Sequence, residues 1–488
     1  MSESPSSQRN ESHEPPFAAE SPAWDRVDRR RFLGGATLLS GAAAGRLLRA
    51  EAPADRPTPL QPVGKAQGIH PGRVVWVHDP GAVSWNGPQD GVWWSGDHVS
   101  QARVDAMLRE AIRHTAGEGD LPAAWTRIFA HLNRKRGKGD RGYQPGEKIV
   151  IKPNWVGMIY REKIVDPDTY RFMRRENYMN TSPHMLLALL GQLIEGVGVR
   201  PGDITICDTL AYLVHEYYDI LHGAYPDVRY EDYAGKFGRI QVRTSEVPLY
   251  WSNRPAGVAQ DYLPACFAEA DYLINFANFK AHSGAGVTLC AKNHYGSLIR
   301  WPVQAGYYDI HPNCFSTASA IYRPLADLIG HAHLGGKTAL YLIDGLFSGV
   351  HPKDPEPQRM HIPPMEEQWS CSLFASQDPV AIDSVAFDFL WAEGTPFPRK
   401  GGVDDYLHEA ALADDPPSGT FYDPNHAEPT ERLASLGVHE HWNNVREKKY
   451  SRNLGTGEGI ELDVTSPVRR RNFAARLASP AAGRDPIP

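Results

Sequence analysis

Between Asp271 and Leu298 the chain reads DYLINFANFKAHSGAGVTLCAKNHYGSL, and several of its polar residues are of kinds that do chemistry. Lys280, His282, Thr288, Lys292 and Asn293 put two amines, an imidazole, a hydroxyl and a carboxamide within fourteen residues. Such a set can bind an anion and move a proton. Tyr272 to Phe276 is an apolar run of strand length, so Asn278, Lys280 and His282 fall where a buried strand leaves its sheet. Gly284 and Gly286 permit tight turns, and Thr288, Lys292 and Asn293 follow at near-helical spacing. The competing expectation is a plain strand-loop-helix connection whose lysines face water.

Further chemistry collects at other strand ends. A strand from Glu147 to Lys152 is halted by Pro153, which leaves Lys152 and Asn154 beside its end. Asp208 follows the apolar run Asp203 to Cys207, and Asp344 follows Thr338 to Ile343. Open α/β sheets place ligand contacts just past the carboxyl ends of their strands. Ser182-Pro183 opens a helix, with Ser182 as cap, and puts His184 in its first turn. The dipole there favours a neutral imidazole, fit for a base or donor role, and equally for capping or packing. Asp378-Pro379 opens another helix; Asp378 is explained as its cap, whereas Asp383, one turn in, could be buried against the site. The candidate catalytic residues are thus His184, His282, Lys280, Asp208 and Asp344, with Lys152, Asn154, Thr288, Lys292, Asn293 and Asp383 as ligand-binding residues. His331 and His333 would face apart on a helix, and His439-Glu440-His441 has no third ligand in view, so metal is not assigned.

The elements that must position these groups alternate strand with helix. Val74 to His78 and Trp369 to Ala375 read as strands. Ser100 to Thr115, Pro122 to Arg134, Leu213 to Tyr225 and Ser316 to His333 read as helices. The fold class is therefore α/β, a mainly parallel or mixed sheet flanked by helices, with long decorated loops. At 488 residues, 41% hydrophobic and 22% charged, the chain supports one elaborated body. A net charge of -7 without a basic run interleaved with aromatics argues against nucleic acid as a partner. The five cysteines include no Cys-x-x-Cys pair, so neither a ferredoxin-type iron-sulfur module nor a zinc ribbon is encoded. Cys207, Cys290 and Cys371 lie in or beside apolar runs and are expected as buried thiols.

Residues 1–52 have the form of a twin-arginine export signal. A long polar stretch precedes the Arg-Arg-x-Phe-Leu core Arg29-Arg30-Arg31-Phe32-Leu33, a weakly apolar run from Gly35 to Gly45 follows, and Ala50-Glu51-Ala52 offers a cleavage site. The apolar run is too short for a stable membrane span. The expected partner is the twin-arginine translocation machinery and the expected location periplasmic or otherwise extracytoplasmic; a basic start with no export role is the alternative. A Pro-rich linker over 53–72, a body over 73–465 and a disordered tail over 466–488 complete the organisation.

Several blocks together carry a resemblance. They are Ile151-Lys152-Pro153-Asn154, Asp208, Lys280-Ala281-His282, Gly286-Val287-Thr288, Lys292-Asn293, Gly296, Asp344-Gly345 and Asp378-Pro379-Val380-Ala381-Ile382-Asp383. In this order the chain resembles the family catalogued as domain of unknown function 362, over about residues 147–392. The resemblance implies an α/β core; the iron-sulfur character of many relatives does not carry over, because the cysteines for it are missing here. Lys280, the following Gly-x-Thr and His294 are also distantly similar in architecture to the lysine-to-histidine block of nickel-pincer lactate racemases, at a different spacing.

The leading expectation is a cleft at strand ends for a small anionic ligand. The lysines would neutralise it, His184 or His282 would exchange a proton, and Asp208 or Asp344 would orient the imidazole or hold a cation. One rival is an accessory protein associated with a divalent metal or redox cofactor and exported folded. The other is a noncatalytic binder that uses aromatic loops around Trp93 and Tyr307.

Overall fold

The computed structural model describes residues 61–160, 163–254, 260–282, 285–299, 308–350, 356–394, 401–426 and 430–467. The export signal, its cleavage site, Gly284, Tyr307 and nearly all of the tail lie outside the described residues. Among those described, no helix is long and apolar enough to cross a membrane.

The apolar runs become the strands of one sheet. In chain order they are β1 (Arg73–His78), β2 (Ile149–Pro153), β3 (Ile204–Cys207), β4 (Arg229–Asp232), β5 (Ile240–Gln241), β6 (Tyr272–His282), β7 (Gly286–Thr288), β8 (Thr338–Gly349), β9 (Ser372–Ser376) and β10 (Glu461–Thr465). Across the sheet the order is β10-β1-β9-β8-β6-β2-β3-β4-β5, with β7 paired to the end of β6. Neighbours are parallel except that β9 runs against β8 and β1, and β7 against β6. The fold is α/β with a mainly parallel sheet.

Its winding has one consequence for function. From β2 the chain proceeds outward through β3, β4 and β5, then returns to the opposite side of β2 to lay down β6 and, beyond it, β8. The strand order therefore reverses between β2 and β6. In open parallel sheets such a switch point leaves a crevice beyond the carboxyl ends of the strands.

Helices cover both faces, as a parallel sheet requires. On one face Ile149, Ile151, Ile274 and Leu342 pack with α1 (Gln101–Ala116), α2 (Leu121–Lys135) and α3 (Pro183–Gly191). On the other, Trp76, Val150, Leu273 and Ile343 pack with α4 (Cys290–Asn293), α5 (Pro324–Gly330), α6 (Pro379–Glu393) and α7 (Gly401–Ala411). All five cysteines are free thiols, and Cys207, Cys290 and Cys371 are buried.

Three expectations need correction. β6 runs beyond Phe276 to His282, and Thr288 lies on β7, paired with Lys280, rather than on a helix. Gly286, at φ 86°, makes the return possible. The helix expected over Ser316 to His333 is only α5, because the carbonyls of Asn313, Ser316 and Ala318 are taken by the buried Arg323 guanidinium and Pro324 fixes the helix start. Part of the expected linker is docked: Val63 and Gly64 pair with His439 and Val438.

Candidate functional site

Pro153 ends β2, and the two polar residues around it are buried with their neighbours. Lys152, two residues beyond Val150, shares its face, the side of the sheet covered by α4. Its Nζ donates to Asp208 Oδ2 at 3.0 Å, to the Pro153 carbonyl at 2.6 Å and to Asn293 Oδ1 at 3.2 Å. Asn293 Nδ2 donates in turn to the Lys152 carbonyl and to Asn275 Oδ1, and Asn154 Nδ2 donates to Asn293 Oδ1. Asp208 also accepts from the backbone N–H groups of Trp155 and Leu210. A methyl group on Gly296 would lie 2.9 Å from both Asp208 Oδ1 and Lys152 Nζ, so a side chain here would have to displace part of this pair.

Asp383 holds α4 in place. Its carboxylate accepts from the N–H groups of Cys290 and Ala291 and from the Tyr406 hydroxyl, capping the helix that carries Asn293. Burial pushes this carboxyl up to about 6. Asp383 thus supports the site from behind.

The second lysine lies on the other face. Lys280 alternates with Phe279 and Ala281, which pack toward α6, and it turns to the side of α3. Its Nζ donates to the Met179 carbonyl at 2.6 Å and sits 4.8 Å from the centre of the Tyr178 ring. Among the described residues no carboxylate is within ion-pair distance of it. Burial holds the Lys280 ammonium well below its usual range, Asp208 and Asp344 oppose that shift, and Lys152 adds to it. These influences link the groups on the two faces across the strand ends.

Asp344 is paired in register with Asn278. It accepts from the backbone N–H of Ser182, the cap of α3, and from that of Leu346. Burial raises its carboxyl to about 6. Around these groups the buried atoms Asn154 Oδ1, Asn278 Oδ1, Thr288 Oγ1 and His294 Nε2 have no hydrogen-bond partner among the described residues. Buried polar atoms are ordinarily satisfied, so a cluster without partners is informative.

The fold gathers Lys152, Asn154, Asp208, Lys280, Thr288, Asn293 and Asp344 at the carboxyl ends of β2, β3, β6 and β8. His184 is not among them. Its ring points to α1, where Nδ1 meets Gln101 Oε1 at 2.8 Å and Nε2 meets the Trp94 carbonyl at 2.9 Å. It is a packing histidine, and burial lowers its pKa. His282 stands at the half-exposed end of β6, with Nδ1 accepting from the Ala285 N–H. The Lys292 ammonium rests 4.4 Å from the Tyr295 ring centre.

Sequence reasoning passed over Asn275 and did not give His294 a role. His294 follows Lys292-Asn293 directly, which was the available signal. It is fully buried, and burial together with the charge of Lys152 pushes it down to about 3, so the ring is neutral.

Residues 149–388 match the family described as Domain of unknown function (DUF362). The matched segment covers just under half of the chain. It spans β2 through most of α6, so every residue of the strand-end cluster belongs to it. A search of the curated proteins finds no match to the chain. Two surface hollows, of about 440 and 370 Å³, are lined by residues such as His131 and Lys135 or Glu367 and Trp369 and share no residue with the strand-end cluster. They are shallow and far less rich in converging buried groups, so the cluster is the stronger candidate.

Proposed function

We propose that the strand-end cluster is a binding and proton-transfer site for a small anionic molecule bearing a carboxylate or phosphate group. The observation that carries this reading is Lys280, a buried amine at the switch point of the sheet without a carboxylate in ion-pair distance among the described residues. A lysine in that setting gains most from an incoming negative charge, which would restore its ammonium form. Lys152 and Asp208 would hold the strand ends rigid and present Asn154 and Asn293. Asn154, Asn278 and Thr288 supply hydrogen-bonding atoms free to orient a ligand.

The proton chemistry follows from the same burial. Asp344 is raised to about 6 while Lys280 is lowered, so the two approach each other in proton affinity. A proton can then move between such groups and a ligand at small cost, which is the condition for general acid and base work. Asp344 and Lys280 take the role that the sequence assigned to His184 or His282, and neutral His294 offers Nε2 as a further hydrogen-bonding atom.

The test is a thermal-shift screen of the full chain with small carboxylates and phosphate esters, repeated with Lys280→Met. The reading expects at least one anion to raise the wild-type Tm and to leave the variant unmoved. Equal shifts in both proteins, or no anion that stabilises the wild type, would defeat it. The twin-arginine form of residues 1–52 supports folded export as part of the same proposal. Replacing Arg29 and Arg30 by Lys should retain the protein in the cytoplasmic fraction; unchanged fractionation would overturn that part alone.

A further inference from the structure

A second polar centre lies away from the strand ends, where α6, α7 and the segment 438–442 meet. His439 and His441 are alternate residues, so their rings project to the same side, while Glu440 turns away to Ser451 and Ile460. Asp404, on α7, completes the group. Its Oδ1 is 2.8 Å from His441 Nε2 and 3.7 Å from His439 Nε2. One ligand atom from each of the three residues falls within 4.8 Å of the others, and all three residues are buried. The third ligand that the sequence did not reveal comes from an element distant along the chain.

The protons at this centre can be placed. Ser384 Oγ donates to the Val380 carbonyl at 2.7 Å, so toward His439 Nδ1, 2.8 Å away, it can only accept. His439 therefore carries its proton on Nδ1, and Nε2 presents a lone pair. That lone pair is buried without a partner among the described residues and looks across 3.7 Å at a carboxylate oxygen, itself an acceptor; Asp404 Oδ2 likewise has no partner among them. Acceptors facing acceptors in a dry interior repel each other unless a cation lies between them. His441 is prepared in the same way. Its Nδ1 meets Asp388 Oδ1 at 2.7 Å, and Asp388 Oδ2 is fixed by the Trp442 N–H and the Tyr450 hydroxyl.

We infer that Asp404, His439 and His441 form a site for a first-row divalent transition-metal ion, with Zn2+ as the chemistry that fits best. Two imidazole Nε2 atoms and one carboxylate make a borderline N,N,O set, and each imidazole has its other nitrogen held by an outer acceptor, the arrangement that orients metal-binding histidines. Donor atoms around a tetrahedral zinc are about 3.3 Å apart, close to the spacing present here. When the ion binds, the proton between His441 Nε2 and Asp404 leaves to solvent and both atoms turn to the metal. Three protein ligands leave a fourth position for water or a ligand, and the half-buried His408 ring lies 4.8 Å from that of His439. The other group with metal-ligand character, Cys207, Glu231 and Cys266, lacks this signature, since Glu231 is engaged by Arg229.

Full-length protein stripped with a chelator should bind one equivalent of Zn2+ in calorimetry. Co2+ in its place should give the visible absorption of a four- or five-coordinate nitrogen-oxygen site without thiolate charge-transfer bands. His439→Ala should weaken Zn2+ binding at least 100-fold and Asp388→Asn, which leaves all three ligands in place, about 10- to 100-fold. No binding by the wild type, thiolate bands in the Co2+ spectrum, or unchanged affinity in His439→Ala would each overturn the assignment. The wild-type Co2+ spectrum decides the matter even if a variant fails to fold.

Discussion

At the strand ends the buried polar groups are chiefly amines and carboxamides; beside α7 they are imidazoles and carboxylates. The first set holds, beside unpartnered amide oxygens, an amine with no carboxylate in contact among the described residues, and the second holds facing lone pairs without an amine, so the first favours an incoming anion and the second a cation. The same contrast repeats on a smaller scale within the first centre. Lys152 has a carboxylate at 3.0 Å, whereas Lys280 has a carbonyl and an aromatic ring. A buried charge with its counter-charge in contact reads as architecture. A buried ionisable group left short of one carries a cost in the empty protein that a ligand can relieve, and this is the pattern of a binding site.

The contrast between the lysines is most sharply tested by removing a counter-charge. Asp208→Ala would leave Lys152 buried and unpaired and would orphan the N–H groups of Trp155 and Leu210. The loss of stability should be about 3–5 kcal/mol, read from the shift of the urea midpoint. A loss under about 1 kcal/mol would mean that Lys152 is relieved by water or by neutralisation, and the distinction between the two lysines would collapse.

A second test uses pH. Burial raises the folded pKa of Asp344 to about 6 from its ordinary value of 3.8, so folding favours its protonated form. Its contribution is therefore fully present below about pH 4 and is lost as pH rises through 6. Wild-type stability relative to Asp344→Asn should fall by about 2–3 kcal/mol between those limits and then level off. A difference that stays flat, or grows with pH, would show that Asp344 is stabilised as a carboxylate and is no partner for proton exchange with Lys280.

Much of the first centre was legible because strands announce their ends. Apolar runs closed by Pro153 or followed by Asp208 and Asp344 fix where polar side chains emerge, and the parallel order then brings those ends together. The direction of a helical side chain is not fixed in this way. The start of α3 was readable from Ser182-Pro183, yet whether His184 faces the sheet edge or α1 depends on Gln101 and Trp94, which only tertiary packing supplies. Thr288 was misplaced for a related reason: a glycine at positive φ turns the chain back as a hairpin where the spacing alone permitted a helix. The Asp404, His439 and His441 centre was least visible, since its pieces meet only when α7 packs against the 438–442 segment.

The smallest expected change in stability is the most informative about function. Lys280→Met replaces a buried amine that lacks a paired carboxylate by an apolar side chain of similar length, which removes a desolvation cost and gives up one hydrogen bond to the Met179 carbonyl. These effects oppose each other, so thermal and urea unfolding should place the variant within about 1 kcal/mol of wild type, or above it. Conserving stability while losing the response to anions would mark Lys280 as a residue kept for its ligand. Destabilisation by more than about 3 kcal/mol would instead make it a second Lys152, a structural cation whose partner is the network itself.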